Sequence, residues 1–228
     1  MVIAEAGTAH MGSVDAAKVL VDKAVNAGCD VVKFQAFDNP SKESMFCWIE
    51  GDEERVARWQ NSRLGPNQWW EVKKYCARKG IHLMLSCFEA RTISWAEEMR
   101  LPCMKVASRA AENFPWDSWD GPSLVSTGMW RPSIHDISAL PKKAVLMECT
   151  AQYPAEVPWD LTMPGYSSHS SEPFLAIQAV AAGAAFVECH FHIDEYPAGP
   201  DEPVSLWPFE LVTVCEARDY YYNFFEGD

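Results

Sequence analysis

Short apolar runs alternate with amphipathic stretches along the whole chain. Met1–Ala6 and Asp30–Phe37 read as strands, the second through Val31, Val32 and Phe34. Between them, Asp15–Ala27 sets Ala17, Val19, Leu20, Ala24 and Val25 at helical spacing before Gly28. Trp69–Lys79 is a second helix, stopped by Gly80 and followed by the strand Ile81–Phe88. Further helices are predicted at Thr92–Met99, Ile134–Leu140, Pro173–Ala182 and Pro208–Phe225, and further strands at Pro102–Ser108, Leu124–Ser126, Ala144–Cys149, Gly165–Ser168 and Ala185–His192. Two helical positions, around Asp117–Trp119 and Trp159–Leu161, are weakly patterned. Strands alternating with helices predict a parallel sheet with right-handed crossovers. Eight such units in 228 residues predict the α/β class and a closed (β/α)8 TIM barrel, one domain over 1–228. No GxGxxG follows the first strand, which disfavours an open dinucleotide-binding sheet. Asp38–Asn67 is long and charged. After the second strand of a barrel it falls on the catalytic face, so it reads as a lid or substrate loop.

Composition then removes whole classes. With 48% hydrophobic and 22% charged residues, the chain is globular rather than disordered. Nineteen basic against 32 acidic residues give a net charge of −13, which disfavours nucleic acid and anionic membranes as partners. No apolar run approaches the roughly 20 residues of a membrane span. Met1–Glu5 lack a basic n-region, so no signal peptide is expected and a cytoplasmic location is. The eight cysteines form no CxxC pair or zinc spacing and read as reduced core thiols. A small anionic substrate stays open, provided that locally placed Lys or Arg hold it against the global charge.

Polar residues gather at the strand ends: Glu5 and then His10; Lys33 and Gln35; Ser86; Lys105 and Ser108; Ser126-Thr127-Gly128; Glu148-Cys149-Thr150; Ser167-Ser168-His169; and Glu188, His190 and His192. In a barrel, inward side chains at these ends line one mouth. Lys33 and Gln35, two apart, share a face. Two lysines on buried strands are costly unless they meet an anion, either a phosphate or carboxylate ligand or internal salt bridges with Glu5 or Glu148. His169 and His190 end adjacent strands and form a reasonable divalent-metal pair, completed by water or substrate. His10 could join them as ligand or orienter; His82 and His135 look peripheral. The aromatic tail Tyr220-Tyr221-Tyr222-Asn223-Phe224-Phe225 either packs the last helix on the barrel or forms a dimer interface.

Nine segments, taken in order, resemble the N-acetylneuraminate (sialic acid) synthase family: IAEAGTAHMG, DVVKFQAF, LMLSCFEA, MKVAS, LVSTGM, ECTAQYP, GYSSHS, VECHF and AGPDEPVSL. The resemblance implies a (β/α)8 barrel that condenses phosphoenolpyruvate with an open-chain amino sugar, releasing phosphate. It implies Mn2+ or Mg2+ on His169 and His190. It places phosphoenolpyruvate on Lys33, Ser86, Lys105, Ser108 and Ser167, and the sugar on Glu5, Gln35, Tyr153 and Asp201. Lys33, Lys105 and His190 are then catalytic with Glu5, which would manage water or a proton at carbon 2. Family members dimerise, so a homodimer is in keeping with it.

Departures fall mainly on the sugar side. Ala9 stands where Asn is usual, Ala110 where a Glu would hold the sugar, Ala151 where Asn or Ser is usual, and Ser168 where Asp is usual. Arg109 replaces a small residue and is assigned as a further anion contact. The sequence ends after the barrel, without the C-terminal antifreeze-like domain that supplies an Arg to the partner's sugar site in full-length members. The expectation is therefore condensation of phosphoenolpyruvate with an altered or simpler aldehyde acceptor. A non-catalytic barrel binding an anion or a partner protein, and a metal-dependent aldolase, are the alternatives.

Overall fold

The computed structural model describes residues 1–130, 132–155, 163–196 and 198–226. Eight parallel strands close into a barrel in sequence order: β1 (Val2–Gly7), β2 (Val31–Ala36), β3 (His82–Cys87), β4 (Met104–Val106), β5 (Ser123–Ser126), β6 (Ala144–Cys149), β7 (Gly165–Ser168) and β8 (Phe186–His190), with β8 pairing back to β1. The helices are α1 (Val14–Asn26), α2 (Glu53–Asn61), α3 (Pro66–Lys79), α4 (Ala90–Glu98), α5 (Ile134–Ala139), α6 (Phe174–Ala181) and α7 (Pro208–Glu226). The weakly patterned stretch near Asp117 is a short 3-10 turn, Trp116–Ser118. Trp159–Leu161 lies outside the described residues.

Alternation along each strand divides the interior into two layers. Ile3, Val31, Met84, Leu124 and Met147 form an apolar plug inside the barrel. Two residues further along the same strands come Glu5, Lys33, Ser86, Ser126 and Cys149, which line the mouth. The opposite face of each strand packs outward: Ala4, Val32, Leu85 and Val125 join the large core beneath the helices. Parity therefore removes Glu148 from the mouth. It lies between Met147 and Cys149 and faces the other way, so the lysines have no partner there. In α1 the buried stripe is Ala16, Ala17, Leu20, Val21 and Ala24, whereas Val19 is exposed. That is the 3–4 spacing of a single face, which Val19 does not share.

Residues 37–65 leave the barrel after β2 and return to α3 across its C-terminal end. The excursion is anchored at several points. The Glu89 carboxylate accepts hydrogen bonds from the backbone N–H groups of Asp38 and Asn39, at 2.6 and 2.9 Å. Buried Asp52 pairs with Arg109 and accepts from the N–H of Ile49 at 3.0 Å. Phe37 stacks between Phe88 and Trp59, with ring centroids 5.1 and 5.3 Å apart. At the other end, α7 packs on α6 and α1, and Arg218 bridges to Asp30 at 2.5 Å. In its tail Tyr221 is packed against the core while Tyr220 and Tyr222 are exposed; the side chains of Phe224 and Phe225 lie outside the described residues.

Candidate active site

Strand register assembles the site. Glu5 lies opposite Lys33 on one side and His190 on the other. Ser86 lies opposite Gln35 and Lys105, and Ser167 opposite Glu188. These side chains converge on a cavity of about 570 Å3 at the C-terminal ends of the strands. Every residue assigned to the site from the sequence lines this cavity: Glu5, Lys33, Gln35, Ser86, Lys105, Ser108, Arg109, Tyr153, Ser167, His169, His190 and Asp201.

Two lysines form its floor, Lys33 and Lys105, 3% and 2% exposed. Lys33 Nζ sits 3.0 Å from Glu5 Oε2, 3.5 Å from Glu188 Oε2, and donates to Ser86 Oγ at 3.0 Å. Lys105 Nζ donates to Ser126 Oγ at 2.7 Å and lies 3.8 Å from Glu188 Oε1. Ser167 Oγ donates to that same Oε1 at 2.8 Å. Internal ion pairing is thus present, through Glu5 and Glu188. Burial favours neutral lysine, but Glu188 and Glu5 outweigh it at Lys33 and raise its pKa. At Lys105 burial prevails over Glu188, with help from the nearby Lys33 charge, and the pKa falls. Burial likewise opposes ionisation of Glu188, yet Lys105 and Lys33 hold its carboxyl below the usual range. Two cations and two carboxylates are near balance, with hydroxyls between them.

The histidines stand beside this floor. Their ring centroids are 5.3 Å apart. The Thr150 carbonyl lies 2.6 Å from His169 Nδ1, which sets the proton on Nδ1 and leaves the Nε2 lone pair accepting from Tyr153 Oη at 3.0 Å. Burial, and then the His190 charge, push His169 down to about 4, so it is neutral at pH 7. A neutral imidazole fixed through its other nitrogen by a carbonyl is the form in which histidine ligates metals. Among the described residues no third His, Cys, Asp or Glu completes a metal-binding group. Asp201 Oδ2 lies 4.0 Å from His190 Nδ1.

Other sequence expectations find different places. His10 is outside the cavity, wedged edge-on against Phe34 and Trp69 with centroids 5.5 Å away, and its Nδ1 accepts from the N–H of Gly12 at 3.2 Å. It does not join the histidine pair. Its position follows from the turn after β1, which carries it over the outward face of β2. His192 packs on Trp207, and His82 and His135 are exposed. Arg109 lines the cavity, but its charge is matched by Asp52, and its guanidinium also donates to the Cys47 carbonyl and sits over Trp59. It fastens the excursion. Ala9 and Ala110 are core residues, whereas Ala151 faces the cavity. Glu188 and Ser126 belong to the lysine network and follow from the same strand parity as Lys105. Thr8, Arg58 and Trp59 also line the cavity, and no periodicity marks them.

The closed (β/α)8 barrel carries its cavity, with paired lysines among hydroxyls, at the C-terminal strand ends, where barrel enzymes carry their active sites. Comparison with known proteins narrows this. The chain belongs to the NeuB family, whose model matches residues 20–223. It is 28% identical to N-acetylneuraminate-9-phosphate synthase of Drosophila melanogaster over 95% of this chain and 66% of that protein. It is 27% identical to N,N'-diacetyllegionaminic acid synthase of Campylobacter jejuni over 94% of this chain and 74% of that one. The chain thus spans roughly two thirds to three quarters of the length of these relatives. The fold matches the crystal structure of N-acetylneuraminic acid synthetase from Leptospira borgpetersenii with a TM-score of 0.83 at 24% identity, over 99% of this chain and 84% of that one.

Proposed function

We propose that the chain is a phosphoenolpyruvate-dependent condensing enzyme that joins phosphoenolpyruvate to a sugar-type aldehyde and releases phosphate. The observation that carries this reading is the floor of two buried lysines set among serine hydroxyls and next to a neutral histidine. Phosphoenolpyruvate brings a carboxylate and a phosphate. Lys33 and Lys105 hold these by charge-assisted hydrogen bonds, with Ser86, Ser108 and Ser167 as neutral donors. Carbon 3 then bonds to the aldehyde carbon, a water oxygen adds at carbon 2, and phosphate leaves by cleavage of its C–O bond. Overall, phosphoenolpyruvate, aldehyde and water give a 3-deoxy-2-keto acid and phosphate. Glu5, held by Lys33 and by Gln35 Nε2 at 3.3 Å, takes the proton of the adding water. Gln35, Tyr153 and Asp201 orient the acceptor. His169 and His190 would hold Mn2+ or Mg2+, which supplies Lewis acidity toward the aldehyde oxygen.

The reading includes a cytoplasmic enzyme and a homodimer. All eight cysteines are free thiols, and no helix of the described residues is long and apolar enough to cross a membrane. Phe174 and Phe209, both well exposed, offer apolar surface for self-association; light scattering tests the dimer. The test of activity is phosphate release from phosphoenolpyruvate with Mn2+ across aldoses and amino sugars, with 18O in the bridging position. Label appearing in phosphate supports C–O cleavage. Absence of phosphate release with every acceptor removes the condensing reading and leaves the anion-binding barrel.

A further inference from the structure

Three cysteines gather on the outer wall of the barrel, none of them lining the cavity. Cys29 lies in the turn between α1 and β2, Cys189 on β8 and Cys215 on α7. All three are buried in the core beneath the helices. The Sγ atoms of Cys29 and Cys215 lie 3.7 Å apart, in contact across 186 positions of sequence. Bonded sulfurs stand about 2.05 Å apart, so the remaining gap is one that small χ1 rotations on both sides close. The two chain segments are clamped around this contact. Arg218, one turn after Cys215 on α7, pairs with Asp30 at 2.5 Å and donates to the Gly28 carbonyl at 3.1 Å, so it grips the residues on both sides of Cys29. A Cβ on Gly28 would stand 3.5 Å from Cys215 Cβ, in ordinary contact, which shows how closely the turn approaches the helix. Cys189 is near enough to Cys215 to act on it electrostatically, but the sulfur in contact with Cys215 is that of Cys29. The contact with Cys215, and then burial, push the Cys29 thiol up, so exchange with a reagent in solution waits for α7 to lift. What α7 secures lies next to the site. Leu206 N–H donates to the His190 carbonyl at 2.8 Å, and the Leu206 carbonyl accepts from His192 N–H at 3.1 Å. Helix α7 begins at Pro208, two residues on, so the helix and the end of β8 are seated together.

We infer that Cys29 and Cys215 are a redox-sensitive pair, closed to a disulfide by a low-molecular-weight disulfide such as oxidised glutathione, and that the bond staples α7 to the barrel wall. One cysteine thiolate attacks the oxidant, forming a mixed disulfide and releasing one glutathione thiol; the other cysteine then displaces the second glutathione. Two protein thiols become one disulfide, and the two hydrogens leave on glutathione. The bond closes nearly the whole chain into one loop, which constrains the unfolded state strongly. To test this, the reduced full chain is incubated with oxidised glutathione just below its melting temperature, quenched with acid and alkylated. Its peptides are then mapped by mass spectrometry without reduction. One cross-link joining the peptides of Cys29 and Cys215 is expected, with six of the eight cysteines alkylated and with reversal by dithiothreitol. The oxidised chain should melt about 5–15 °C above the reduced one, as for a disulfide of typical worth in a chain of this size. Cys29→Ala and Cys215→Ala should each abolish both the cross-link and the rise, whereas Cys189→Ala should keep both. Circular dichroism reports the folding of each variant, and the wild-type map decides the pairing without them. Eight alkylated cysteines after the incubation, glutathione adducts in place of a cross-link, or a bond made by Cys189 overturns the pair. A Cys29–Cys215 bond that leaves the melting temperature unchanged overturns the staple.

Discussion

Lys105 and His10 show how differently two buried titratable residues behave. Lys105 sits in a network built to exchange partners: its carboxylate, Glu188, is shared with Lys33, so an arriving anion can replace it. Lys105→Ala should weaken phosphoenolpyruvate binding by about 10- to 150-fold, the worth of one charge-assisted contact. Calorimetry checks this, and unchanged affinity would remove Lys105 from the anion site. His10 has no such partner. Burial, and then the Arg58 charge, depress it from 6.5 to about 4. Its neutral form is therefore favoured in the folded state. The unfolded chain takes up the proton first as pH falls, so stability is intact above pH 6.5 and is lost between 6.5 and 4. From pH 7 to 4.5 the wild type should lose about 2–3 kcal/mol more than His10→Asn, which keeps an acceptor for Gly12 N–H but does not titrate. Urea titrations at both pH values measure the difference. Sequence alone left His10 open as a ligand, because its distance from strand 1 places it near the mouth. Only the turn geometry after β1 shows that it faces Phe34 and Trp69.

Strands and the excursion differ in how far they can be read from residues. Strands carry the site because alternation assigns a face to every position. Lys33 with Gln35, and Glu188 with His190, follow from parity alone, and the same rule excludes Glu148. The eight strands are recognisable for the same reason, with errors of one or two residues at their ends. The excursion has no such rule. Helix α2, EERVARWQN, buries only Trp59, so it carries no apolar stripe that could announce a helix. It is held by contacts remote in sequence: Asp52 with Arg109, Phe37 with Trp59 and Phe88, and Arg58 with the loops after β1 and β8. Of the charged residues of the excursion, Arg58 lines the cavity, Asp52 is committed to Arg109, and Glu43 is exposed. Asp52→Ala should cost about 3 kcal/mol, the low end for breaking a buried pair, because Arg109 keeps slight solvent contact. Adding Arg109→Met should recover part of that loss by removing the stranded charge. Urea unfolding gives both values. Limited proteolysis between residues 38 and 65 should be faster in Asp52→Ala than in the wild type. Equal protection would show that the excursion's other anchors, the Glu89 hydrogen bonds, the aromatic stack and the Arg58 contacts, hold it without the Asp52–Arg109 pair.

At the scale of the whole molecule, the site works against the charge of its own chain. The net charge is −13, yet the proposed substrate is an anion. The floor does little to reverse the field, since Lys33 and Lys105 are nearly balanced by Glu5 and Glu188 until a ligand displaces them. The range of the field depends on salt. The Debye length is about 30 Å at 0.01 M ionic strength, so an approaching anion senses most of the molecule; at 0.15 M it is about 8 Å and only the rim is sensed. At that rim stand Arg55 and Arg58, with Arg109 already neutralised. Raising salt therefore screens long-range repulsion more than short-range attraction. The association rate of phosphoenolpyruvate should rise between 0.01 and 0.15 M, by about 3- to 30-fold within the span that steering can impose. This is the reverse of an enzyme whose overall charge draws its substrate in. Trp59, in the cavity wall, provides the signal for stopped-flow fluorescence. A rate that falls with salt would show that the rim arginines dominate the approach even at low ionic strength, and that the global charge is not what the substrate meets first.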